Sequence, residues 1–141
     1  MQRVIGVDVG QRRVGVAQSD RTGTLASVVG TFDYESALAK IASLCEEGDV
    51  RLIVVGWPLT LKGEEGESVE MVRKFLQTLR KKIKKSGVPI ETLDERFTSS
   101  LARQSIRDSG ARKKKRREKE RVDATAAAIL LQSFLDGAVT R

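Results

Sequence analysis

Three acids stand where this chain could bring chemistry together: Asp8, Glu95 and Asp123. Asp8 lies inside Val4-Ile5-Gly6-Val7-Asp8-Val9-Gly10, an apolar run that turns at Gly10 and returns through Arg13-Val14-Gly15-Val16-Ala17. A carboxylate among Val and Ile is costly unless it finds hydrogen-bond donors or a cation. Glu95 follows a short apolar run, beside Asp94, and Asp123 opens an alanine-rich stretch of helical spacing. Strand ends and helix starts that adjoin a sheet are where ligands converge in α/β folds. Carboxylates packed together there repel one another and so favour a bound ion. Oxygen-only sites select hard divalent cations, Mg2+ or Mn2+. The chemistry implied is metal-assisted hydrolysis of a phosphodiester, with a water activated and the leaving oxygen stabilised.

Each acid also has an ordinary use. Asp8 can bond backbone amides near the turn, and Asp123 can cap a helix. Asp94 and Glu95 can pair with Arg96 or Arg103 at the surface, which is worth little. Glu64, Glu65 and Glu67 are competing acids, but they sit in a polar, glycine-containing loop and read as solvated.

The chain holds no histidine and a single cysteine, Cys45. That excludes a Ser-His-Asp triad, a histidine-zinc hydrolase and a histidine general base. It also excludes an internal disulfide and a cysteine-built zinc site. Cys45 falls on the apolar face of a predicted helix, where a buried structural thiol is the default. At 141 residues, 40% hydrophobic and 32% charged, the composition is that of one globular domain spanning 1–141. No run approaches a membrane span and no signal-peptide pattern opens the chain, which predicts a cytoplasmic location and no membrane partner.

These acids need elements to position them. Arg3–Asp8, Val14–Ser19 and Leu25–Phe32 read as three strands joined by turns at Gly10 and Arg21-Thr22-Gly23, an antiparallel meander. Ala37, Leu38, Ile41, Leu44 and Cys45 recur at helical spacing over Tyr34–Glu47, and Gly48 ends that helix. Leu52–Val55 reads as a strand buried on both faces, closed by Gly56-Trp57-Pro58. Ser68–Lys85 carries the clearest helical stripe and ends in a run of basic residues. Pro89–Leu93 is a further strand, Thr98 can cap a helix containing Leu101, Ala102 and Ile106, and Val122–Leu135 is the final helix. This order predicts an α/β fold: a five-stranded mixed sheet with helices on its faces.

The net charge of +7 is concentrated in one place. Gly110–Arg121 holds eight Lys/Arg against Glu118 and Glu120, which leaves a near-neutral body carrying one basic, mobile segment. Arg112, Lys113, Lys114, Lys115, Arg116, Arg117 and Lys119 are candidates to grip a polyanion next to Asp123. Gly10 and Gly15 either keep side chains away from a phosphate or serve turn geometry. Arg13 and Arg96 can hold a phosphate or pair with a neighbouring acid. Thr98 and Ser99 can offer donors to a phosphate at a helix N-terminus, or simply cap it. Trp57 can stack on a base, but packing at the strand end is the simpler use.

Taken together, these motifs resemble the YqgF/RuvX family of ribonuclease H-like nucleases, described both as Holliday junction resolvases and as nucleases maturing pre-16S rRNA. Asp8-Val9-Gly10 with Arg12-Arg13 and Gly15-Val16-Ala17 is similar to the family's opening motif. Gly56-Trp57-Pro58 with Gly63 and Gly66 is similar to its middle motif. Asp94-Glu95-Arg96-Phe97-Thr98-Ser99 is similar to its acidic strand-end motif, with Ser99 where threonine is usual. Val122-Asp123-Ala124-Thr125-Ala126-Ala127 opens the matching last helix. The resemblance covers nearly the whole chain. It implies a ribonuclease H-like fold, with the first three strands antiparallel and the next two joining beside the first. It implies Asp8, Glu95 and Asp123 as the catalytic metal ligands. Many related nucleases use a fourth acid, which the four residues after Asp123 do not supply.

The sequence therefore predicts a divalent-metal-dependent endonuclease acting on structured nucleic acid, with the 5′ end of precursor 16S rRNA as favoured substrate. The alternatives are a resolvase of branched DNA and a nucleic-acid-binding factor without catalysis. Symmetric resolution of a junction needs a dimer, and no obvious dimer helix stands in the sequence, so monomer or weak dimer is left open. Asp-x-Gly on a first strand also opens actin-like ATPases, but those need two such domains and this chain has room for one.

Overall fold

The computed structural model describes residues 2–58, 66–94 and 115–137, with backbone alone for 115–124. Its elements are β1 (Arg3–Val9), β2 (Val14–Ser19), β3 (Ala26–Phe32), α1 (Tyr34–Glu46), β4 (Val50–Trp57), α2 (Glu67–Ile83), β5 (Ile90–Asp94) and α3 (Lys115–Leu135). A 3-10 turn over Lys84–Ser86 closes α2. The five strands form one sheet in the order β3-β2-β1-β4-β5. The β1–β2 and β2–β3 pairs are antiparallel, while β1–β4 and β4–β5 are parallel. This is the mixed sheet expected, with the strand carrying Asp8 at its centre. The helix expected after Thr98 lies outside the described residues.

Alternation along the strands divides the core into two layers. Ile5, Val7 and Val9 of β1, Val14 and Val16 of β2, and Ile53 and Val55 of β4 face α1 and α2. Val4, Ala17, Leu52, Val54 and Leu93 face α3. The helices thus cover both faces, α1 and α2 on one and α3 on the other. Six residues of α2, Val69, Val72, Phe75, Leu76, Leu79 and Ile83, are buried at helical spacing. Full burial of each aliphatic side chain is worth about 1.5–3 kcal/mol against exposure, so this stripe fixes α2 firmly.

Local chemistry sets the boundaries. The carboxylate of Asp33 accepts from the Ser36 amide at 2.7 Å and caps α1. Gly48, at φ +79°, stops it, since left-handed backbone is cheap only for glycine. The Ser19 hydroxyl accepts from the Val4 amide at 2.8 Å and donates to the Asp20 carbonyl, tying the start of β1 to the end of β2.

One boundary differs from expectation. The final helix is already formed at Lys115, seven residues before Val122, so the described half of the basic segment is helical backbone continuous with position 123. Lys, Arg and Glu are good helix formers. They lack the apolar spacing by which a helix start is read from sequence, so the pattern alone marks the start late.

Candidate active site

Asp8 is buried, 7% exposed, near the carboxyl end of the central strand. Its position on β1 alternates with Val7 and Val9, so it lies on the α3 face of the sheet with Gly6 and Val4. Its partner across β1–β2 is Gly15. On the other side the register Val7–Val55, carried one residue on, sets Gly56 beside it. Position 8 is therefore flanked on both neighbouring strands by residues without side chains. Beside this carboxylate the sheet presents a trough whose walls are backbone.

The roof of the trough is α3, which crosses close over β1 at a glycine. A Cβ built on Gly6 would stand 2.7 Å from the Leu131 Cβ and 3.2 Å from the Ala127 carbonyl oxygen. Only glycine lets the helix lie this near. The far end of α3 is sutured to β3 by Gln132, which accepts from the Ala26 amide at 2.9 Å and donates to the Thr24 carbonyl at 3.0 Å. Ala26 pairs with Ser19, beside the start of β1. Hence α3 runs antiparallel to β1. Position 123 lies one turn before Ala127, about 6 Å along the helix axis. Asp8 lies two residues after Gly6, about 6.6 Å along the strand. The backbone thus brings position 123 to the same level and the same face as Asp8.

Asp94 is the last residue of β5 and pairs in register with Trp57. Trp57 packs with the α1/α2 layer, whereas Leu93 belongs to the α3 layer. Asp94 is therefore on the face opposite Asp8. Glu95 lies outside the described residues, as do Arg96, Thr98, Ser99, Arg112, Lys113 and Lys114. Lys115, Arg116, Arg117 and Lys119 fall on the first turns of α3, in helical backbone that leads directly to position 123. Among the described residues no three Asp, Glu or Cys side chains converge as a metal-holding group; Glu95 and the Asp123 side chain lie outside them. The part that is described suits a hard cation: Asp8 is a buried acid oxygen donor with a glycine on each neighbouring strand.

Gly10 and Arg13 form the turn between β1 and β2. The Gly10 amide donates to the Arg13 carbonyl at 2.8 Å. Arg13 is half-buried at the mouth of β2, next to the Asp8–Gly15 pair. The turn is held from behind by Tyr34, whose hydroxyl bonds the Gly10 carbonyl and lies 3.2 Å from that of Gln11. Burial pushes the Tyr34 hydroxyl pKa up, so it remains a donor at any ordinary pH. Its ring packs edge-on to Phe75, with centroids 6.0 Å apart at 75°. Trp57 is engaged rather than free: the Arg73 guanidinium lies 5.5 Å from its ring centroid.

Sequence reasoning did not single out Gly6 or Tyr34. Gly6 had a signal, since a glycine inside an otherwise branched strand marks a close approach of another chain segment. Tyr34 had none, because nothing local ties it to a loop more than twenty residues earlier.

A family model described as "RuvX: Holliday junction resolvase" matches residues 2–137. The chain is 37% identical over 135 residues to a Chlorobium chlorochromatii protein named "Putative pre-16S rRNA nuclease", covering 96% of this chain and 95% of that one. A protein of the same name from Chloroflexus aggregans is 41% identical over 138 residues, covering 96% and 94%. Among solved structures, Thermus thermophilus RuvC in complex with a Holliday junction substrate superposes with a TM-score of 0.58 at 13% identity, covering 100% of both chains. At that identity the likeness is one of fold, and it is the ribonuclease H-like fold that the motifs implied.

Proposed function

The chain belongs to the RuvX Holliday junction resolvase family, and from that premise we propose that it hydrolyses phosphodiester bonds in structured nucleic acid, with the 5′ end of precursor 16S rRNA as substrate. The observation that carries this is the placement of Asp8. It is a buried acid at the end of the central strand, between two glycines, under the helix whose backbone brings position 123 alongside. Relatives named for pre-16S rRNA, similar over nearly their whole length, favour RNA over branched DNA.

In this proposal Asp8, Glu95 and Asp123 hold a divalent cation, Mg2+ or Mn2+. Such an ion, when bound, activates a water and neutralises charge on the phosphate. The set is oxygen-only, as those ions require. Asp94 is on the face away from Asp8, so Glu95 is the second arm in this proposal. The protein's own groups do the rest. The glycine walls let the phosphate approach the carboxylate. Gly10 and Arg13, fixed by Tyr34, line the approach. Arg96, Thr98 and Ser99 bond phosphate oxygens, and Arg112, Lys113, Lys114, Lys115, Arg116, Arg117 and Lys119 hold the flanking backbone. In this proposal the protein works in the cytoplasm. Among the described residues no helix is long and apolar enough to cross a membrane.

The test is a cleavage panel with Mg2+ and Mn2+. It compares RNA carrying the 16S 5′ leader, single-stranded RNA, single-stranded DNA and a four-way DNA junction. Cleavage of the leader RNA above the others supports the proposal. Preferential, symmetric cutting of the junction by a dimer transfers the site to the resolvase reading. Binding without cleavage of any substrate sinks both.

A further inference from the structure

The concentration of charge at the end of α2 is not used by the site described above. Arg80, Lys81, Lys82, Lys84 and Lys85 place five cations within six residues, with no acid among them. All five are exposed. With Gly110–Arg121 contributing eight cations against two acids, and this run five more, the remainder of the +7 chain carries −4. The near-neutral remainder outside Gly110–Arg121 thus divides into a second basic run and a body of charge −4.

The helix dipole explains part of this. Cations near a helix C-terminus are favourable, but the effect falls off within the last turn and needs one or two charges. Here three cations crowd the last turn of α2 and two more the 3-10 turn that closes it, like charges that repel one another. Among the described residues no carboxylate pairs with any of the five. Arg80 and Lys84 also rim a shallow hollow of about 280 Å³ with an apolar floor of Ile83, Val88 and Ile90. Just below the ~300–1,000 Å³ range of closed ligand pockets, it suits a backbone phosphate and sugar lying across it rather than an enclosed small molecule.

The patch is remote from Asp8. It lies where α2 hands over to β5, at the amino end of β4 and β5, whereas Asp8 lies near the carboxyl end of β1. The span along the eight residues of β4 is about 25 Å. It is also on the side of the sheet that α2 covers, away from α3. A strand segment bound at Asp8 does not pass over it directly.

We infer that the basic end of α2 is a second nucleic-acid contact, which grips the phosphate backbone of a separate segment of the same large substrate. The inference rests on the nuclease reading for the identity of that substrate. Two contacts on one folded RNA raise affinity through effective concentration, without any new contact at the cleavage site. Short substrates, which cannot reach both, bind through the Asp8 side alone.

The test uses the full chain and the variant Arg80→Gln/Lys81→Gln/Lys84→Gln/Lys85→Gln, whose exposed, helix-compatible replacements leave the core untouched. Binding is measured against salt on two probes: a folded RNA of several hundred nucleotides containing the 16S 5′ leader, and a 12-base-pair RNA duplex. Each lost phosphate contact makes the slope of log K against log salt shallower by about 0.9. The expected result on the long RNA is a slope shallower by about 2–3 and affinity lower by at least tenfold, with duplex binding changed less than twofold. A photo-crosslinker at position 81 is expected to attach to the long RNA at a segment away from the cleavage point. Equal affinity and slope for variant and parent on the long RNA overturns the inference while leaving the nuclease reading standing. Failure of the unaltered chain to bind either probe overturns the nuclease reading itself, and the inference with it.

Discussion

Replacing Gly6 by alanine tests whether the close crossing of α3 over β1 builds the site. The new Cβ would stand 2.7 Å from the Leu131 Cβ and 3.2 Å from a backbone oxygen, that of Ala127. Carbon atoms rest at about 3.5–4.0 Å, so the helix must retreat by roughly 1 Å; neither obstacle is a side-chain end that can rotate away. Overpacking of this kind costs about 1–3 kcal/mol. Removing a glycine from a strand interior returns about 0.5–1 kcal/mol. The net expectation is a loss of about 1–2 kcal/mol, a factor of roughly 5–30 in the folded ratio, or about 3–8 °C in Tm at this chain length. The functional effect is larger. The retreat moves position 123 away from Asp8, and a misplacement of about 1 Å can cost on the order of 100-fold in rate. Urea denaturation and cleavage of the leader RNA are the assays. A Gly6→Ala protein as stable and as active as the parent would refute the packing that places Asp123.

Further expectations follow from the same structure. Tyr34→Phe keeps the ring on Phe75 but removes the hydroxyl that holds the Gly10 turn. It should cost about 1 kcal/mol in denaturant unfolding and slow cleavage several-fold, and unchanged values on both would show the contact to be idle. The Asp20 carboxyl is held down to about 2 by the Thr22 hydroxyl and the Leu25 and Thr24 amides, and Asp33 is lowered by its bonds from Ser36. Both carboxyls have folded pKa values below the unfolded one. Their stabilisation is therefore present above about pH 4 and is lost as pH falls through that of Asp20, at about 2. Thermal melts from pH 5 to 2 should show that loss, and Asp20→Asn should flatten it; a variant with the parent's acid profile would contradict the assignment. Neutralising the Lys and Arg residues of 112–119 should make the salt slope of RNA binding shallower by about 4–5 if four to six of them meet phosphates, and an unaltered slope would remove the segment from the interface.

Much of this architecture is legible in the sequence, because two different periods announce it. Branched residues on both sides of Gly6 and Asp8 mark a strand buried on two faces, and Val72, Phe75, Leu76 and Leu79 mark α2. Glycines and the Asp33 cap punctuate them. The crossing of α3 is harder to read. Its early turns are Lys, Arg and Glu without apolar spacing, so the apolar pattern opens at Val122 although helix already covers Lys115. Asp94 and Glu95 are adjacent and chemically alike. Only the pairing of Asp94 with Trp57 shows that Asp94 belongs to the other face. Tyr34 serves a turn far from it in sequence, a tertiary contact with no local signature. The charge at the end of α2 is plain in the sequence, but its distance from Asp8 depends on the parallel register of β1, β4 and β5.

The central claim is that Asp8 is the buried anchor of an all-carboxylate site for phosphodiester hydrolysis. The most direct measurement is single-turnover cleavage of RNA carrying the 16S 5′ leader by the parent and by Asp8→Asn, in Mg2+ and in Mn2+, with RNA affinity and unfolding midpoint measured in parallel. The expected result is loss of cleavage by at least 100-fold in both metals, with binding and fold retained. Cleavage by Asp8→Asn at the parent's rate would show that Asp8 holds no part of the chemistry.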